Sequence, residues 1–153
     1  MTTRITQSDE DLYERDFYAW SRRQAELLRA GRFSDLDLGH LTEEVEDLGE
    51  TVYRSVRSRV RTIVEHLLKL EYSPASEPKR GWREMVRTQR ADLDEDLTVA
   101  LRPRIEAGLP GFHGKARRDA AAALRDYGEP AAADALPGSC PYTLDQIVGE
   151  WLP

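Results

Sequence analysis

The sequence predicts an all-α protein, a compact helical bundle with one long central helix and short helices toward the C-terminus. Three observations carry this. Apolar residues return at three- and four-residue steps along most of the chain. No run alternates β-branched and polar residues as a half-buried strand would. The 153 residues, 40% hydrophobic and 33% charged, are enough for one domain (1–153) of amphipathic helices around a shared core.

The first helix is expected over residues 9–30. Ser8 can cap it, Asp9, Glu10 and Asp11 suit its positive end, and Gly31 follows its last turn. Tyr13, Phe17, Trp20, Gln24, Leu27 and Leu28 share one stripe. The second helix runs from a cap at Asp37 to about Tyr72, where Pro74 stops it. Its stripe is Leu41, Val45, Leu48, Val52, Val56, Ile63, Leu67 and Leu70. Gly49 costs this helix about 1 kcal/mol relative to alanine, which leaves room for a bend or break there.

A third helix is expected from about 80 to 101, with Trp82, Val86, Gln89, Leu93 and Leu97 in line, ended or restarted by Pro103. "RPRIEAGLPG" has room for at most a short helix. Residues 112–127 form an alanine-rich helix closed by Gly128 and Pro130, with His113 in a loop or at the helix start. The last element is short: Thr143 and Gln146 have capping-box spacing, and Tyr142 sits where a staple to Ile147 would form.

Composition narrows the function classes. No apolar run approaches the roughly 20 residues that span a bilayer, and the N-terminus lacks the apolar core of a signal peptide. A single cysteine, Cys140, excludes an internal disulfide and multi-cysteine metal sites. The expectation is a cytoplasmic protein with no membrane partner. Charge is unevenly distributed: residues 1–53 carry a net −7, residues 54–90 a net +6, and residues 91–153 a net −5. Internal complementarity explains such a pattern more economically than an anion site. Nucleic-acid binding through the basic segment 54–90 ranks lowest, because Trp82 falls on an apolar stripe rather than among the arginines.

The stretch "LTEEVEDLG" (41–49) concentrates carboxylates. A bundle-type di-metal site needs acids from several helices with histidines three residues after two of them, and no Glu-x-x-His exists in the chain. On a helical wheel only Glu44 borders the apolar stripe, while Glu43, Glu46 and Asp47 face the polar side. His66 lies inside the stripe, which reads first as a core histidine and second as a ligand or general base. Glu44 and His66 are 22 residues apart, roughly 33 Å along a straight helix, so a joint site needs a break near Gly49 or a second subunit. Asp16, Gln24, Arg59 and Gln89 also interrupt or border apolar stripes and need partners. Phosphate-loop, dinucleotide and nucleophile-elbow motifs are absent. Cys140 precedes a helix whose positive end could lower its thiol pKa, though no local base accompanies it.

Four blocks then fit together: "LYERDFYAWSRRQAELLRAGRFSDLDLGHLTEEVEDLG", "EHLLKLEY", "WREMVRTQR" and "CPYTLDQIVGEWLP". In this order they resemble the bacterial family called domain of unknown function twenty-nine, over essentially the whole chain. The resemblance implies an all-helical fold and carries no catalytic assignment. Its blocks fall on Asp16, Phe17, Trp20, Glu43, Glu44, Glu46, His66, Trp82, Gln89 and Arg90.

The leading reading is a helical protein that works through protein contacts, as a homo-oligomer or an adaptor, with the acidic half of the second helix facing a basic half. The alternative is a metal-binding protein or hydrolytic enzyme. Its site would be built from Asp16, Glu44 and His66, with Gln89 or Arg90 assisting and either no cofactor or a divalent metal.

Overall fold

Why the chain breaks where it does is clearest at its start. The computed structural model describes residues 9–153, so the expected Ser8 cap lies outside the described residues. The single first helix expected over 9–30 is two: α1, Asp9–Arg15, and α2, Phe17–Arg29. Asp16 between them leaves helical geometry (φ −148°, ψ 78°), and its carboxylate accepts from Ala19 N at 2.9 Å. The sequence pattern runs straight through this point because Asp16 N still closes the last turn of α1 onto Leu12 O, leaving no loop. Gly31 ends α2 as expected. At φ +67° it occupies the left-handed region, and Arg32 N and Gly31 N return to Leu27 O and Leu28 O in a Schellman motif. A short 3₁₀ turn, Phe33–Asp35, leads to α3, Leu38–Tyr72. This helix continues unbroken through Gly49, the residue at which the sequence leaves room for a break.

The chain divides into two compact units, Met1–Glu50 and Thr51–Pro153. The first holds α1, α2, the 3₁₀ turn and the start of α3. The second is built on the rest of α3, whose Val56, Val60, Ile63, Val64, Leu67 and Leu68 are fully buried. Each such side chain contributes about 1.5–3 kcal/mol on leaving water, which sets this stretch at the centre of that unit's core.

α4, Lys79–Asp96, stops short of the expected end at 101. Leu97 leaves helical geometry, and Thr98 O takes the N–H groups of Leu101 and Arg102 to start the next helix. That helix, α5, Arg102–Asp126, replaces the expected short helix within 102–111 and separate helix over 112–127 by one continuous element. Pro103 stands in its first turn, where a missing N–H costs nothing, and the helix runs on through Pro110. Pro110 and Glu106, whose carbonyl it leaves unbonded, are both exposed, so water can take over that carbonyl. Gly108 lies under Phe112: a Cβ there would meet the ring at 2.3 Å. His113 is therefore mid-helix and buried, with no partner at Nε2, rather than in a loop. Gly128 (φ +79°) closes α5 with a second Schellman motif.

Two short helices follow, α6, Pro130–Asp134, and α7, Leu144–Val148. The capping box at α7 is present, with Gln146 N bonded to Thr143 Oγ1 and Thr143 N to Gln146 Oε1. Tyr142 and Ile147 are both buried in the same core cluster. The described residues are helical with no strand, as the sequence predicts.

Candidate functional site

In the first unit, polar and aromatic groups fold α2 back on the start of α3. Asp37, just ahead of α3, accepts from Trp20 Nε1 at 3.1 Å, from the His40 ring at 2.7 Å and from His40 N at 3.4 Å. Its own N–H donates to Gln24 Oε1 at 2.9 Å. Burial pushes the Asp37 carboxyl upward, but the donors from His40 and Trp20 outweigh it and hold the group below its ordinary value. Tyr13 stacks on His40 with ring centroids 3.8 Å apart and meets Trp20 edge-on. Its hydroxyl donates to Glu44 Oε1 at 2.6 Å, and that bond, with the negative charge beside it, pushes the phenol up to about 12.

These contacts hold two helices together while leaving a face uncovered. Between α2 and α3 lies an open groove of about 410 Å³, lined by Phe17, Trp20, Gln24, Leu28, Val45 and Leu48 among others. A second hollow of about 520 Å³ continues it, sharing Leu28, Leu41 and Val45 and adding Leu36 and Leu38. The lips are large apolar side chains in water: Phe17 49%, Leu28 47%, Leu38 64%, Val45 66% and Leu48 70% exposed. Scattered exposed leucines are ordinary; here the exposed apolar side chains are contiguous along the two hollows. Among the described residues, the charged ones lining either hollow are Glu44 and Glu46. Gln24, 1% exposed, keeps its Nε2 without a partner at the groove floor.

The carboxylates of "LTEEVEDLG" take different places. Glu44 lines the groove and is held by Tyr13, while Glu46, which the wheel sets on the polar side, lines the hollow that continues it. Glu43 and Glu50 point roughly 170° from the direction of Leu41, Val45 and Leu48, at 100° per residue. A contact through the charged face of α3 and one through its apolar stripe are therefore different contacts.

The residues expected to form a metal or catalytic site are each engaged locally. Asp16 caps α2 and Glu44 serves Tyr13, both in the first unit. His66, Gln89 and Arg90 belong to the second. His66 Nδ1 lies 2.8 Å from Thr62 O, and burial and then the Lys69 charge lower its pKa below the ordinary histidine value. Gln89 Nε2 reaches only Met85 Sδ at 3.9 Å. Arg90 donates to three carbonyls, Ile147 O and Gln146 O at 2.9 Å and Trp151 O at 2.7 Å, clasping the C-terminal segment. Arg59 pairs with Asp96. Among the described residues, no three His, Cys, Asp or Glu side chains come together in a group that could hold a metal. The Cys140 thiol is pushed up by burial rather than lowered by α7, and it donates to Tyr142 O at 3.5 Å.

Sequence reasoning missed two features. One is the Asp37–His40 pair with Tyr13 stacked on it, signalled by the i, i+3 spacing at a helix start. The other is Lys69, buried at 5% exposure, paired with Glu65 at 2.8 Å and 5.4 Å above the Trp82 ring. Its place next to Leu68 and Leu70 could have flagged it.

Fold and surface together define an all-helical protein whose N-terminal unit carries an open apolar groove; no described helix is long and apolar enough to cross a membrane. The chain belongs to the family described as domain of unknown function DUF29, whose profile matches residues 12–152. It is also similar to an alpha-helical protein of unknown function from Rhodospirillum rubrum, known from a crystal structure. The two are 31% identical with a TM-score of 0.67, over 90% of this chain and 89% of that one. No curated protein matches the sequence.

Proposed function

We propose that this protein works through protein contacts, and that the apolar groove between α2 and the start of α3 is its contact surface. The observation that carries this is the row of exposed Phe17, Leu28, Leu38, Val45 and Leu48. Leaving such side chains in water forgoes about 25 cal/mol for each Å² that a partner would cover. The surrounding framework is already fixed by the Asp37, Trp20, His40 and Tyr13 contacts, so a partner meets a preformed surface.

The test is site-specific photo-crosslinking in the cell that makes the protein. A photoreactive residue in place of Leu48 is expected to give a discrete adduct, while the same residue at exposed Ala122 of α5 gives none. Absence of an adduct at position 48 overturns the reading.

A further inference from the structure

Resting on that reading, we infer that the occupant of the groove is a second copy of the same chain, docked two-fold with the start of one α3 antiparallel to the other. Four successive stripe residues near the start of α3, Leu41, Val45, Leu48 and Val52, stand at spacings of four, three and four. This order is the same read in either direction, with its centre between Glu46 and Asp47. A two-fold axis through that centre sets Val45 of one copy against Leu48 of the other, twice over, which is what an isologous interface requires. Antiparallel packing also opposes the two helix dipoles. Each copy brings two helices held side by side, so the product is a four-helix arrangement in which the lips of each groove fill the other.

Size is consistent with this. The five lip side chains, each about half to two-thirds exposed, hold on the order of 500 Å² per copy. Two copies would thus cover about 1,000 Å², near the threshold for a specific interface. Charge gives the proposal a distinctive sign. Residues 1–50 carry a net −7, and the groove's charged lining residues are Glu44 and Glu46, so two copies repel as they meet. Salt must therefore strengthen this dimer by screening, whereas it would weaken docking of a basic helix from another protein.

Sedimentation equilibrium of the purified full chain tests this. The expected mass is about twice 17.4 kDa, with association tightening several-fold between about 0.05 M and about 0.5 M salt. Glu46→Lys, at the groove's rim and exposed, is expected to tighten the dimer about three- to tenfold by reducing the repulsion. Leu48→Glu is expected to weaken it at least a hundredfold while leaving the helical circular dichroism unchanged. In a Cys140→Ser background, mixed Val45→Cys and Leu48→Cys chains should form the heterologous disulfide in preference to either homologous one. A monomer at all concentrations, a dimer that salt or Glu46→Lys loosens, one indifferent to Leu48→Glu, or homologous disulfides would each overturn the second copy as occupant. A Leu48 adduct in cells with some other mass would overturn only this inference; no adduct at all would remove the contact surface itself.

Discussion

Replacing Asp37 is expected to loosen the frame on which the groove depends, and the size of the effect follows from its contacts. Asp37→Ala removes the acceptor for the indole N–H of Trp20, a residue 2% exposed, and an unpaired buried donor costs about 1–3 kcal/mol. It also removes the carboxylate that receives His40 N at the start of α3, worth about 1 kcal/mol as a helix cap. The partly exposed pair with the His40 ring adds a few tenths more. The expected loss is about 3 kcal/mol in urea unfolding followed by circular dichroism. Asp37→Asn keeps an acceptor and a good cap, so about 1 kcal/mol is expected. The two variants also differ with pH. Because the folded Asp37 carboxyl lies below its unfolded value, its contribution is complete above the ordinary carboxylate range and is lost as pH falls through the folded value. Asp37→Asn should flatten that part of the acid limb. A loss under about 0.5 kcal/mol for Asp37→Ala, or equal losses for the two variants, would refute the reasoning.

Three further outcomes are expected. Tyr13 should titrate near 12 by ultraviolet absorbance, and the stability tied to its neutral form should be complete below pH 10 and decline as pH rises toward that value; a midpoint near 10 would show that the Glu44 bond is absent in solution. His66 and His113 both have folded pKa values lowered by burial, so stability should be fullest above the unfolded value of about 6.5 and fall as pH drops through it. An increase in stability on acidification to about pH 5 would contradict both assignments. Arg90→Lys cannot reproduce three carbonyl bonds from one guanidinium and is expected to cost about 2–4 kcal/mol, with the C-terminal segment beyond Gln146 becoming sensitive to carboxypeptidase; full protection would refute the clasp.

Periodicity made most of the fold legible. The stripes of α2, α3 and α4 and the caps at Asp37, Gly31, Gly128 and Thr143 are local signals, and the structure uses each of them. What the sequence misplaced depended on tertiary surroundings. Pro110 stays inside α5 because the carbonyl it orphans faces solvent, and Asp16 breaks a helix whose apolar pattern is continuous across it. The candidate site was half legible. Glu44 borders the apolar stripe on the wheel and lines the groove in the structure, whereas Asp16 and His66 satisfy backbone groups within their own helices. The same stripe that reads as core throughout α3 is exposed at Val45 and Leu48 and fully buried from Val56 onward. Periodicity reports which face is apolar; only the packed structure reports whether anything covers it.

The most direct test is whether that face is covered where the protein operates. With Cys140→Ser removing the native thiol, a cysteine at Leu48 can be labelled with N-ethylmaleimide in intact cells and compared with a cysteine at exposed Ala122. The account predicts labelling at position 48 at least about tenfold slower than at 122 in cells, with the two rates converging in dilute purified protein once the partner dissociates. Equal rates in cells would mean that the groove stands open to water and that its apolar lips serve no contact.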